Sequence, residues 1–378
     1  MMNPVKKLLR HFSPALSVGV LALFLFAGSA PAQRLNDLPP PPPSPIYKPK
    51  PTPTPTPALP DDPLDIVRVT SNLVMVPVSV TDGNGQAVHG LKVTDFQVAE
   101  AGSPQKIAEI GDPEQVPLDI AVLFDISSSV SQKGFFALQQ NAAASFLRQV
   151  LKPADRAAVF TIGKEPRLVA ALASAEAAAA TLQTIPAATS SVSTSFYDTV
   201  AAASKYLAAN SSGGRRRVIV VLSDGDDTSS ELVGGPTTAE VRASENGEMT
   251  PAAARVGQSA RHHKAVLEVQ RVAQQADAAF YSINPGGPSV HLNQISMRAQ
   301  SGMESIAAAT GGTAFLPASD KDLERVFSEV AAELRGQYLL QYYSNSQLPP
   351  GQFRTITVTT PGQPEVHVRA RQGYYPKK

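Results

Sequence analysis

The sequence predicts an α/β protein: a doubly wound, mostly parallel sheet, joined to a small β-sandwich built from the segments on either side of it. Three observations carry that reading. Six of the seven residues over 118–124 (LDIAVLF) are apolar without alternation, as in a strand covered on both faces inside a parallel sheet. A second such run, VIVVL at 218–222, follows later, with helical and strand patterns alternating around both. The flanks are rich in Val, Thr and Tyr at period two, and neither is large enough to bury a core alone.

With 378 residues there is room for two or three domains. A formal charge of +1 gives no field drawing the chain to nucleic acid or anionic lipid, and no nucleic-acid partner is expected. The absence of Cys excludes disulfides, thiol catalysis, thiolate metal sites and a lipoprotein-type anchor.

In chain order, residues 1–32 read as a signal peptide. Lys6, Lys7 and Arg10 precede an apolar core over 15–27, and Ala30-Pro31-Ala32 offers cleavage before Gln33. No transmembrane span is expected after cleavage; retention as an N-terminal anchor is the alternative. Either implies export, to the periplasm, the cell surface or the medium. Residues 33–63 form a proline-rich linker, extended or disordered. Its stretch 38–60, as polyproline II at about 3.1 Å per residue, reaches about 60–70 Å. It serves as a stalk or as a plain spacer.

Residues 64–112 form an N-terminal β segment with strands over 65–70 and 73–81, and a hairpin from 96–100 and 105–110. Asp82-Gly83-Asn84-Gly85 reads as a hairpin turn; the ligand positions of a calcium loop are not filled. The C-terminal β segment, 337–378, has strands over 337–343, 352–360 and 365–370. Core size implies that the two segments pair into one immunoglobulin-like sandwich around a central domain at 115–336.

In that domain, helices are expected over 135–151, 175–185, 194–209, 266–276, 294–310 and 320–335. Strands are expected over 156–162, 168–172, 278–283 and 313–316. Arg215-Arg216-Arg217 read as a solvated start to the 218–222 strand. Residues 228–264 form a polar insert, emerging where that strand ends; it is a specificity loop or a disordered one.

The 118–124 run ends in Asp125, Ser127 and Ser129, oxygen-bearing side chains at alternate positions past a strand's carboxyl end. Ligands bind there in open α/β sheets, and such hard oxygens suit magnesium. This D-x-S-x-S resembles the metal-ion-dependent adhesion site of von Willebrand factor type A (VWA) domains. Two further segments resemble the same pattern in the same order. STSFYD carries Thr194, with Ser193 where glycine is usual, and LSDGDD carries Asp224. The resemblance implies that Asp125, Ser127, Ser129, Thr194 and Asp224 surround a divalent cation, magnesium or otherwise manganese or calcium. It further implies that a carboxylate from a protein partner completes the coordination. Asp226 and Asp227 could coordinate as well, but read first as solvated loop acids. The overall order also resembles secreted bacterial VWFA-related proteins, best known in Acidobacteria, with a D-F-x-V-x-E-like stretch at Asp95 to Glu100. Their G-Q-Y-L-L-like and R-x-G-Y-Y segments correspond here to Gly336 to Leu340 and Arg371 to Tyr375.

An enzyme is not expected. Ser127 and Ser129 have no histidine near them in sequence, G-x-S-x-G is absent, and the adjacent His262-His263 lack the i, i+4 spacing of a metal pair. Two non-enzymatic functions remain: recognition of a partner's acidic group through the metal, or a structural envelope component in which the metal only stabilises the loops.

Overall fold

The computed structural model describes residues 72–127, 136–188, 190, 192–288, 293–319 and 322–376. The expected signal peptide, the linker, the 65–70 strand and Ser129 lie outside the described residues.

The chain enters through β1 (Leu73–Thr81), whose alternate valines 74, 76, 78 and 80 are buried. Asp82 closes the turn: its Oδ1 accepts from the amides of Asn84 at 2.8 Å and Gln86 at 2.9 Å. β2 (Gln97–Glu100) and β3 (Ser103–Gln105) then make a tight hairpin, and β4 (Ile107–Gly111) follows. The strand expected over 105–110 is therefore two strands. The chain turns a corner at exposed Lys106 and passes from one sheet to the other, a standard way of closing a sandwich.

The central domain begins at β5 (Leu118–Asp125), buried along its whole length. It continues through α1 (Phe136–Val150), β6 (Arg156–Ile162), β7 (Arg167–Ala173), α2 (Ala175–Gln183), α3 (Phe196–Asn210) and β8 (Arg216–Leu222). Next come α4 (Thr238–Glu245), α5 (Pro251–Ala276), β9 (Ala278–Ile283), α6 (Gln294–Thr310), β10 (Ala314–Phe315) and α7 (Leu323–Gly336). The sheet order is β10-β9-β8-β5-β6-β7, parallel except for β7 at the edge. Leu118, Ile120, Val122 and Phe124 of β5 enter one core with α1, α2 and α7; Ala121 and Leu123 enter the other with α3, α5 and α6. Both faces of the central strand are covered, which is why its sequence shows no alternation.

After α7, β11 (Tyr338–Tyr343) pairs antiparallel with β1, Val76 opposite Leu340. β12 (Arg354–Thr359), β13 (His367–Ala370) and β14 (Gly373–Tyr374) finish the fold. Two antiparallel sheets result, β13-β1-β11-β4 and β14-β12-β2-β3, each drawing strands from both ends of the chain. One core lies between them, with Val76, Val78, Val98, Leu340, Tyr342 and Ile356 at its centre. The sandwich meets the central domain through Glu333 of α7, which accepts from Ser79 Oγ at 3.0 Å and Tyr281 Oη at 2.8 Å and pairs with Arg369 at 2.5 Å.

Two further expectations are corrected. The helix expected over 266–276 starts at Pro251, so with α4 more than half of the 228–264 insert is helical. Thr250 caps it, its hydroxyl accepting from Ala253 N at 3.1 Å, and Pro251 occupies a first-turn position where no amide is needed. Residues 251–260 are almost all exposed, so no apolar stripe marks that half. Arg216 and Arg217, expected to be solvated, are buried and bonded to backbone carbonyls. Among the described residues, no helix is long and apolar enough to cross a membrane.

Candidate metal centre

Two parallel strands paired along their length end side by side, Phe124 of β5 opposite Leu222 of β8. The next residues are Asp125 and Ser223, and they are bonded: Ser223 Oγ donates to Asp125 Oδ2 at 2.5 Å. The other carboxylate oxygen of Asp125 accepts from the amide of Ser127 at 2.7 Å. Ser223 Oγ itself accepts from Gly225 N at 2.9 Å. Gly225 has φ 76, a left-handed conformation that calls for glycine. This turn brings Asp224 beside Asp125.

Thr194 precedes α3 by two residues; the expectation placed it within the first turn. Its position is set by the loop after β8. The Thr194 amide donates to Thr228 Oγ1 at 2.8 Å, and its carbonyl accepts from Thr228 N and Ser229 N, both at 2.9 Å. Asp227, expected to be solvated, is buried and holds the start of α3: its Oδ2 accepts from Tyr197 N at 2.9 Å and Ser230 Oγ at 2.5 Å. In return, Asp198 of α3 accepts from Glu231 N at 2.6 Å and Leu232 N at 3.1 Å. Asp125, Ser127 and Asp224 thus converge at the strand ends, and Thr194 is tied to the loop that follows Asp224.

The electrostatics are those of crowded acids. Asp125 is fully buried, and burial followed by the charge of Asp224 pushes its carboxyl up to about 7. Asp226, half-buried, is raised to about 6 by burial first and Asp224 second, against the opposing charge of Arg298. Its Oδ1 is buried with no hydrogen-bond partner among the described residues. Among those residues no Lys or Arg pairs with Asp125, Asp224 or Asp226. Acids set together this way fit a cation, and carboxylates with hydroxyls are the hard donors that magnesium takes alongside waters. Among the described residues no three His, Cys, Asp or Glu side chains cluster as a metal cage.

Sequence reasoning missed Ser223 and underweighted Asp226. The signal for Ser223 was its place directly beside Asp125 once the two apolar runs are paired as neighbours. Asp226 looked like any loop acid, because only the fold buries it.

Residues 119–285 match the von Willebrand factor type A domain family, and this part of the chain is a member of it. α6, β10 and α7 lie beyond the match and continue the same sheet and its helical layer. Among solved structures, the chain is similar to an aerotolerance-related membrane protein from Bacteroides fragilis. The identity is 12%, over 57% of this chain and 98% of that one, with a TM-score of 0.40. It is also similar to the vWF domain of the type V pili tip protein Mfa5 from Porphyromonas gingivalis, at 13% identity over 62% and 98%, TM-score 0.43. A third is proximal thread matrix protein 1 from the mussel byssus with a zinc-occupied MIDAS motif, at 16% identity over 62% and 49%, TM-score 0.40. No curated protein matches the chain by sequence.

Proposed function

We propose that this is an exported, non-enzymatic binding protein whose VWA domain takes up a divalent cation, magnesium by default. Asp125, Ser127, Ser129, Thr194 and Asp224 would hold it, and the bound ion would recognise an acidic group on a protein partner. The observation that carries the reading is the pair Asp125 and Asp224, two carboxylates at neighbouring strand ends with no counter-charge beside them among the described residues. When bound, the ion supplies positive charge at a partly dried surface, where a partner's carboxylate is held more strongly than in water. The chain's own part is rigidity. Ser223 and the Ser127 amide fix the Asp125 carboxylate, and the Thr194–Thr228 and Asp198–Glu231 bonds fix the surrounding loops. His262 is buried in α5 against the Tyr197 ring at 5.9 Å, and burial lowers its pKa to about 4.

Calorimetric titration with magnesium tests the site. Binding to the folded state alone should add about 1–3 kcal/mol at ten to a hundred times Kd, and Asp125→Ala should abolish the increment. Affinity capture from envelope extract, with and without chelator, tests the partner. Capture that needs magnesium and Asp125 supports recognition through the metal. Magnesium binding with capture indifferent to chelator supports an envelope component whose loops the ion merely stabilises.

A further inference from the structure

At the end of the sheet opposite the metal centre, the chain runs Arg215-Arg216-Arg217 into β8. Arg215 pairs with Asp119 at 2.8 Å, but that carboxylate is shared with Arg156 at 2.7 Å. Arg371, arriving from the sandwich, pairs with Asp277, donates to Met75 O at 2.8 Å and lies over the Tyr374 ring. Arg216 and Arg217 are different. Arg216 donates to Leu334 O at 2.7 Å, Pro113 O at 3.1 Å and Gln337 Oε1 at 3.3 Å; Arg217 donates to Ala276 O and Ser211 O, both at 3.1 Å. Among the described residues neither forms an ion pair.

These side chains are deep. Arg216 is 7% exposed, Arg217 6% and Arg371 8%. The Nε atoms of Arg215, Arg216, Arg217 and Arg371 are buried without a hydrogen-bond partner among the described residues. The same four arginines line one cavity of about 60 Å³ with Met75 of β1, Gln337 and one acid, Asp277, which is already paired with Arg371. Burying a guanidinium without a counter-charge is costly, and this applies to Arg216 and Arg217; burial lowers the pKa of both, and takes that of Arg371, which has Asp277 as its partner, down to about 10. At about 10–15 Å³ for each water-sized probe, the cavity has room for about four to six waters. An ion with four oxygens fits that space. Guanidinium forks match oxyanions in both charge and geometry.

We propose that this cavity binds one small tetrahedral oxyanion, inorganic phosphate or sulfate, which supplies the missing negative charge where the sandwich meets the VWA domain. The ion joins Arg216 and Arg217 of β8 to Arg371 of the sandwich and so fastens the two parts together.

The test uses the full chain in chelator, so that the fate of the metal site does not enter. Phosphate and, separately, sulfate are titrated calorimetrically at constant ionic strength. One-to-one saturable binding is expected, with a melting temperature about 2–4 °C higher at ten times Kd. Met75→Glu places a carboxylate in the cavity wall and should remain folded while binding phosphate at least about tenfold more weakly. If that variant does not fold, Arg217→Gln must show the same loss. No saturable heat at about 10 mM of either anion overturns the proposal. So does a melting temperature that climbs without saturating, which is a general salt effect, or undiminished phosphate binding in the folded variant.

Discussion

Removing the charge of Asp125 should stabilise the metal-free protein and abolish its gain from magnesium. Without metal, the folded state holds its Asp125 proton up to about pH 7, whereas the unfolded chain releases it near 3.8. Between those values the folded state binds more protons, so stability falls as pH rises, by about 1.4 kcal/mol per pH unit and up to about 4 kcal/mol by pH 8. Asp125→Asn escapes this cost. It loses some of the gain, because its amide meets the Ser223 hydroxyl that now donates to Asp125 at 2.5 Å. A net gain of about 2–3 kcal/mol over wild type is expected at pH 8 in chelator. In magnesium the gap narrows or closes, wild type gaining about 1–3 kcal/mol and the variant nothing. Urea unfolding at pH 5.5 and 8, in chelator and in magnesium, reads all four cases. Asp226 titrates in the same direction but is present in both proteins, so it cancels in the difference. An Asn variant less stable than wild type at pH 8 in chelator, or one with an undiminished magnesium gain, would refute the reasoning.

His262 gives a pH dependence of opposite sign: it is protonated at 6.5 in the unfolded chain and at about 4 in the fold, through burial and then the charges of Arg298 and Arg261. Stability should therefore fall as pH drops through that window, by up to about 3 kcal/mol, and His262→Phe should flatten this slope in denaturant melts. Glu100→Gln should cost about 3–5 kcal/mol by leaving Arg354 buried without its anion; the pair variant Glu100→Gln/Arg354→Met should recover part of that in the same melts. The exported protein should begin at Gln33; N-terminal sequencing that returns Met1 would favour the anchor instead.

What could be read from the sequence follows the strength of the local signal. β5 and β8 were legible because both faces are buried, so Leu118 to Phe124 and Val218 to Leu222 carry no alternation. Asp125 and Asp224 were legible because they stand directly beyond those runs. The burial of Arg216 and Arg217 was not, since their acceptors, Pro113, Leu334 and Ala276 among them, come from elements far apart in the chain. A run of three arginines reads as solvated until the carbonyls are brought to it. The first half of α5 was hidden for the opposite reason: with no core to face, it has no stripe, and only Thr250-Pro251 marked its start. The corner at Lys106 left no signal stronger than one exposed residue between buried Gln105 and Ile107.

The segments at the two ends of the chain that resemble the secreted bacterial proteins prove to be one cluster inside the sandwich. Glu100, 1% exposed, accepts from Ser344 Oγ at 2.7 Å, Tyr342 Oη at 2.8 Å, Arg354 at 3.2 Å and Tyr374 Oη at 3.3 Å. Phe96 stacks on Tyr338 at 5.1 Å, and a Cβ on Gly373 would strike Arg354 O at 2.3 Å. A carboxylate this deep needs donors on both oxygens, so acid, tyrosines, arginine and glycine stand or fall together. Their pattern is therefore tied to closing the sandwich. The exposed turns of α4 and the first half of α5 owe nothing to either core, and they follow directly from the strand that delivers Asp224. Changes there should leave both cores intact, since the exposed turns pack against neither of them.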